Sequence, residues 1–200
     1  FVQMSTIAVF GSASRISETT PERPQTYYGS SKLKADKELM AMSDREFKAA
    51  IIRPPMAYGG GMAPGNMLRL IRLVNKHIPL PFGSARNSRD FINVKNLVEF
   101  IHLAVEKEVE GVFYPTDKVP YSTRNVVEEI SRQLGVHTVN LPSPSIFLKL
   151  VEKVRPDLYQ KLWGDVVIDR QLALSAIGYE PRYTLEDGIR EMVESFKQQK

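Results

Sequence analysis

The chain has 200 residues, a net charge of +4, no cysteine and three scattered histidines. This length suits one domain or one and a half, and the lack of cysteine excludes disulfides, a thiol nucleophile and a zinc–thiolate site. No apolar run reaches the roughly 18 residues of a membrane span and no signal peptide is visible, so a cytoplasmic protein is expected. The basic residues are dispersed, which does not suggest nucleic-acid binding.

The first ten residues are mostly apolar and end at Gly11, a pattern that predicts a buried parallel strand. Thr6 lies near its carboxyl end, where ligands gather in open α/β sheets. Residues 12–25 are rich in polar residues and proline, so we expect an exposed loop. Because the chain starts inside an apolar run, we also expect it to be a fragment whose natural beginning lies upstream.

Tyr28 and Lys32 lie four residues apart in the next predicted element, a helix that runs to about Met42. Residues with this spacing share one face of a helix. A nearby ammonium favours the phenolate and lowers the tyrosine pKa, so Tyr28 is a candidate general acid/base. The spacing alone is weak evidence: Tyr114 and Lys118 repeat it in what reads as a strand end and a turn, which we discard.

The middle of the chain alternates strands and helices. A strand over 47–52 is ended by Pro54 and Pro55, since proline cannot donate to a ladder. A glycine-rich loop follows, and then a helix over 66–76, a short edge strand over 78–82, a strand over 89–94, a helix over 96–106 and a strand over 111–115.

Helices dominate the last third of the chain. Helices are expected over 123–134 and 144–154, around residues 158–163, and from a capping box at Thr184 to about residue 196. A short strand could lie between the first two, over 136–141. Taken in order, the elements predict an α/β fold, with parallel strands leading into a smaller α+β part.

Several short motifs follow one another along the chain. They comprise residues 4–11, the Tyr28–Lys32 pair, and residues 52–59, 65–67, 80–83, 89–94, 177–181 and 184–188. Read together, they resemble the extended short-chain dehydrogenase/reductase family, specifically the NAD-dependent nucleotide-sugar epimerases and dehydratases. The Gly65–Asn66 turn and the run over 84–89 look most like bacterial enzymes that act on N-acetylated UDP-sugars or their lipid-linked forms.

The resemblance implies a Rossmann-type parallel sheet, NAD or NADP as cofactor, a nucleotide-sugar substrate that is UDP-linked, and a homodimer. Tyr28 would take a proton from a sugar hydroxyl as hydride moves to the nicotinamide. Thr6 would orient that hydroxyl, and Lys32 would lower the pKa of Tyr28 and bind the nicotinamide ribose. Pro54 and Pro55 would lie near the nicotinamide.

The same resemblance assigns the substrate's nucleotide part to later residues. Asn66 and Arg89 would bind its diphosphate, a contact that suits a guanidinium. Phe82 would lie near the base. Residues 1–58 would then be the second half of a dinucleotide-binding domain. Residues 59–200 would be mainly a substrate region, with some elements returning to the sheet.

Three features depart from the family pattern. The Gly-x-x-Gly-x-x-Gly loop that cradles the cofactor pyrophosphate is absent from the chain, so this chain alone is expected to bind NAD poorly and to be inactive. Met56 stands where many members have Asn, which puts a substrate contact in doubt. Asn93 replaces a common His.

Two other functions stay open. A non-catalytic member of the fold would serve as a cofactor sensor or scaffold, because fold does not fix function. A steroid- or flavonoid-type reductase would act on an apolar substrate, which has no need of Asn66 and Arg89. Epimerisation, dehydration and net reduction are not separated by the sequence, and neither are NAD and NADP.

Overall fold

The computed structural model describes residues 1–61, 65–174 and 177–198. The chain divides into two compact units. Unit 1 contains Phe1–Ala57, Asp90–Val119 and Val166–Arg182, and unit 2 contains Tyr58–Arg89, Pro120–Asp165 and Tyr183–Lys200. Unit 1 contains segments of both regions proposed from the sequence, 1–58 and 59–200. The roles assigned to those regions stay predictions.

Unit 1 is built around a sheet of three parallel strands. Its order is β1 (Val2–Met4), β3 (Ala50–Ile52) and β6 (Gly111–Phe113), with Ile52 opposite both Met4 and Phe113. All three residues of β3 are buried. A central strand that is covered on both faces needs apolar residues at every position, which explains the unbroken run Ala-Ile-Ile. The predicted α/β class with parallel strands is confirmed.

The remaining strands of this part of the chain form two short pairs. The pairs are β2 (Arg15–Ile16) with β7 (Val167–Ile168), and β4 (Met56–Tyr58) with β5 (Phe91–Asn93). The helices of unit 1 are a 3-10 helix (Ile7–Phe10), α1 (Tyr27–Met42), α3 (Val94–Glu106) and α7 (Arg170–Leu174). Phe100 of α3 lies in the core and meets Tyr179 edge-on, with 5.1 Å between ring centroids.

Unit 2 is helical. It contains α2 (Asn66–Asn75), α4 (Thr123–Leu134), α5 (Ser145–Val154), α6 (Pro156–Leu162) and α8 (Leu185–Gln198). Helix α4 packs against both α2 and α8 and buries Val126, Val127 and Ile130. Its ends are the predicted ones: Ser122 forms a capping box, and Gly135 ends the helix in the left-handed region with φ 72°.

The first strand is shorter than the sequence predicts. It ends at Met4, because the Thr6 hydroxyl accepts a hydrogen bond from Ala8 N at 3.1 Å and starts the 3-10 helix. Val9 and Phe10 are apolar because they belong to a core cluster, not because they extend the strand. The predicted loop over 12–25 also contains β2, whose buried Ile16 is part of that cluster.

Several further boundaries differ, and two of them have a clear physical reason. The predicted edge strand over 78–82 is reduced to one bridge between Leu80 and Asn140, in keeping with the prolines on either side of Leu80. Helix α3 begins at Val94, two residues early, because the Asn93 side chain accepts from Lys95 N at 3.0 Å and caps it. Across the described ranges, no helix combines the length and apolar character needed to cross a membrane.

Candidate active site

In unit 1, the carboxyl ends of β1 and β3 run side by side beyond the paired residues. Ser5 N donates to Ile52 O at 2.7 Å, and Ile7 N donates to Pro54 O at 3.3 Å. Thr6 and Pro54 therefore lie on neighbouring segments at one edge of a parallel sheet. That edge is where open α/β sheets bind their ligands.

Lys32 ties helix α1 to the same edge. Its ammonium donates to Met4 O at 2.8 Å, two residues before Thr6. An ammonium has three donors, so this bond leaves the group able to contact a ligand as well. The cation is thus held at the end of β1.

The start of α1 lies against the 3-10 helix. A Cβ added at Gly29 would come within 2.7 Å of Ala8 O, so only glycine allows this approach. Thr26 caps the helix by accepting from Gly29 N at 3.0 Å. The Tyr28 side chain is 56% exposed, so its phenol is accessible to a ligand.

The structure thus brings the segments of Thr6, Lys32 and Pro54 together, with Tyr28 one helical turn before Lys32. Pro54 and Pro55 are both buried. A hydroxyl, a phenol and an ammonium on adjacent segments can orient an alcohol, exchange its proton and stabilise the anion formed.

The predicted substrate residues lie in unit 2. Arg89 donates through Nη1 to Gln160 O at 2.8 Å and Gly164 O at 2.7 Å, at the end of α6. Burial lowers the pKa of Arg89, and the negative charge of the nearby Asp165 partly offsets this lowering. A guanidinium has five N–H donors and these contacts use two, so Arg89 both caps a helix and keeps donors for an anion.

Phe82 and Asn66 occupy different surroundings. Phe82 is 3% exposed and packs against Trp163, with 5.3 Å between ring centroids. Asn66 is exposed at the first position of α2, with Gly65 as the N-cap residue. Backbone N–H groups at a helix N-terminus favour anions, which suits the predicted phosphate contact.

An open cleft of about 500 Å³ in unit 2 was not foreseen from the sequence. Its lining includes Arg86, Ser88, Tyr121 and Arg124. The available sequence signal was the Ser-Arg-Asn-rich run over 84–89. Among the residues that the structure describes, no group of three His, Cys, Asp or Glu side chains could hold a metal ion.

The parallel α/β sheet and the residues at its edge define only a broad class of protein. Comparison with known proteins identifies the family within that class. The model of the NAD dependent epimerase/dehydratase family matches residues 1–114. The chain belongs to that family, as its ordered motifs predicted. It is 35% identical over 181 residues to a UDP-glucose 4-epimerase from Vibrio cholerae, a match covering 88% of this chain and 55% of the relative.

Solved structures show the same fold. A UDP-glucuronic acid 4-epimerase from Bacillus cereus, in complex with NAD, has a TM-score of 0.77 and 21% identity over 99% of this chain and 61% of its own. A dTDP-glucose 4,6-dehydratase from Bacillus anthracis, also with NAD, has a TM-score of 0.71 and 21% identity, with 98% and 61% covered. The chain spans about half the length of the curated relatives it matches.

Proposed function

We propose that the protein is an NAD- or NADP-dependent epimerase or dehydratase acting on a nucleotide-activated sugar, with Tyr28 as acid/base. The observation that carries this function is the anchored Lys32 ammonium, 2.8 Å from Met4 O and one helical turn from Tyr28. Family membership supports the reaction class. The name of the Vibrio cholerae relative favours a UDP-sugar and a 4-epimerisation.

The donor set of unit 1 suits the nicotinamide-ribose half of the cofactor. Ribose presents hydroxyls, and the phenol of Tyr28 and the free donors of Lys32 match them. Pro54 and Pro55 would shape an apolar wall beside the nicotinamide. When bound, the cofactor would accept a hydride from the sugar and would return it either to the same carbon or to another position of the product.

The chain's own residues would handle the proton. The Thr6 hydroxyl accepts from Ala8 N and can donate its hydrogen to the reacting sugar hydroxyl. The Tyr28 phenolate would take the proton of that hydroxyl and return it after the sugar has turned or lost water. Lys32 would stabilise the phenolate, and its tie to Met4 O would keep the three groups in register.

The nucleotide would be held by unit 2. Arg89 and Asn66 are proposed to bind its diphosphate, and Phe82, which packs on Trp163, is proposed to lie near the base. We also expect a homodimer.

The adjacent tyrosines provide a matched test of this function. We expect Tyr28→Phe, in the protein as its native gene encodes it, to lose on the order of 100- to 10,000-fold in kcat while UDP-sugar binding persists. The measurement is NMR detection of product from UDP-N-acetylglucosamine, UDP-glucose and UDP-glucuronic acid with NAD or NADP. Tyr27→Phe is the control, because Tyr27 is 98% exposed on the same helix turn.

Equal activity of the two variants would refute the role of Tyr28. A wild-type protein that binds UDP-sugars and NAD but turns none over would instead favour the non-catalytic sensor or scaffold.

A further inference from the structure

A buried ion pair in unit 1 joins helix α1 to the end of β3. Asp36 is 1% exposed and Arg53 is 3% exposed. The Oδ2 atom of Asp36 accepts from Arg53 Nε at 2.9 Å and from the Ser5 hydroxyl at 2.7 Å. One carboxylate oxygen therefore contacts two other segments of the chain.

Arg53 is fixed on its other side as well. Its Nη1 lies 2.7 Å from Glu22 Oε1 and 3.4 Å from the Tyr114 hydroxyl, and its guanidinium carbon stands 5.6 Å from the Phe10 ring centroid. Burial works against the charge, but the hydrogen bond to Glu22 and the other partners outweigh it and raise the pKa of Arg53. The guanidinium is thus permanently charged and held from several directions.

Ser5 and Arg53 are each next to a residue of the candidate site along the chain, and Asp36 is next to one on the face of a helix. Ser5 directly precedes Thr6, and Arg53 directly precedes Pro54. Asp36 follows Lys32 by four residues, so both project from the same face of α1. A shift of the Asp36 carboxylate would therefore displace all three segments of the candidate site.

Stability alone is a poor reason to keep such a pair. Buried ion pairs can often be replaced by well-packed apolar residues without loss of stability. Within the described part of the chain, the second oxygen of Asp36, Oδ1, has no hydrogen-bond partner although it is buried. An arrangement that leaves a buried acceptor unpaired, yet aims the other oxygen at two site segments, favours a role in geometry.

We propose that Asp36 and Arg53 are positioning residues, which set the spacing of Thr6, Lys32 and Pro54 without contacting the substrate or the cofactor themselves. This role rests on the proposed function. It acts through the bonds of Asp36 Oδ2 to Ser5 and Arg53, which hold α1 against the edge where Lys32 meets Met4 O.

Arg53→Lys keeps the charge but cannot reproduce the guanidinium's several directed bonds. We expect kcat to fall on the order of 100-fold, as small misplacements of reacting groups do, with KM changed less than about twofold. Ser5→Ala, which removes one bond to the same oxygen, should show the same changes more weakly.

The matched control is Arg170→Lys. Arg170 pairs with Asp90, which is 3% exposed in the same unit, and donates to the Thr116 hydroxyl at 2.8 Å. It touches none of the segments of Thr6, Lys32 and Pro54. Its partner Asp90 directly follows Arg89, so any effect of this variant on the substrate would be on KM. This variant should lower the melting temperature while leaving kcat per folded molecule unchanged.

A second readout does not depend on turnover. The rate at which an amine-acylating reagent modifies Lys32, followed by peptide mass spectrometry, should rise severalfold in Arg53→Lys and stay unchanged in Arg170→Lys. The positioning role is wrong if kcat and Lys32 reactivity follow only the loss of stability in both variants. Absence of turnover in the wild type would defeat the proposed function alone, because the acylation comparison still decides the role of the pair.

Discussion

At the residue scale, Gly29 controls how closely helix α1 approaches the 3-10 helix. A Cβ at this position would lie 2.7 Å from Ala8 O, a backbone atom that cannot swing away. Gly29→Ala should therefore push α1 outward and lower the free energy of unfolding by about 1–3 kcal/mol, the usual cost of overpacking. Thermal unfolding followed by circular dichroism measures this loss.

The neighbouring Ser30 supplies the control, since it is exposed on the same helix. Ser30→Ala should change the melting temperature little or raise it slightly, because alanine is the better helix former. A Gly29→Ala variant as stable as the wild type would mean that the two helices can separate without cost.

The residue scale also shows what sequence can reveal of the site. The Tyr28–Lys32 spacing is visible because a helix places residues four apart on one face. The contact of Lys32 with Met4 O joins residues 28 positions apart, and that of Arg53 with Asp36 joins residues 17 apart. Neither is encoded in a local pattern, so motif order predicts site residues but not the bonds between their segments.

At the element scale, the N-terminus of α8 has a pH-dependent cap. Asp187 accepts from Thr184 N at 3.0 Å and from the Thr184 hydroxyl at 2.8 Å, and these bonds together with Arg190 lower its pKa. A depressed carboxyl pKa stabilises the fold above the unfolded value of about 3.9. The gain disappears as pH falls through the lower, folded-state pKa.

Asp187→Asn should therefore cost about 1 kcal/mol at pH 7, or about 2–4 °C in melting temperature for a chain of this size. As pH falls below the unfolded value of about 3.9, the difference from wild type should shrink, because Asp187 is then increasingly protonated. Glu194→Gln is the control: Glu194 is an exposed carboxylate on the same helix, and its loss should matter little at either pH. A pH-independent deficit in Asp187→Asn would contradict the capping role.

Helices were easier to predict than strands for a physical reason. Capping residues and the 3.6-residue period are local, so α4 and α8 begin, and α1 ends, where the sequence indicated. A strand is defined by partners that are distant in sequence. Ile16 shows this well: it lies in a polar stretch and becomes part of a strand only because Ile168 pairs with it.

At the scale of the whole molecule, the family resemblance implied a second region that serves mainly the substrate, with some of its elements returning to the sheet. Each compact unit is assembled from separate stretches of chain. Unit 1 recruits Val166–Arg182, and unit 2 recruits Tyr183–Lys200. Composition did not indicate which stretches return, because a helix or strand carries the same local pattern whichever unit it joins. The ordered motifs predicted the family, but they did not predict which stretches of chain make up each unit.

The residues predicted to bind the nucleotide lie in unit 2, and Arg89 is the predicted ligand of its diphosphate. Arg89→Ala should weaken UDP binding at least about tenfold and uridine binding hardly at all, because charge-assisted bonds to phosphate are lost while base contacts stay. Isothermal titration of both ligands against wild type and variant measures the difference. Arg72→Ala is the matched control, since Arg72 is an exposed arginine of the same unit that is not among the residues lining the cleft.

Arg89 also bonds to Gln160 O and Gly164 O, so its removal can loosen the end of α6 and reduce every contact of unit 2. The two ligands separate these effects. Equal losses for UDP and uridine would assign Arg89 a structural role alone. A loss confined to UDP would mean that one guanidinium both caps α6 and binds the diphosphate, so that substrate binding and the stability of α6 would depend on the same side chain.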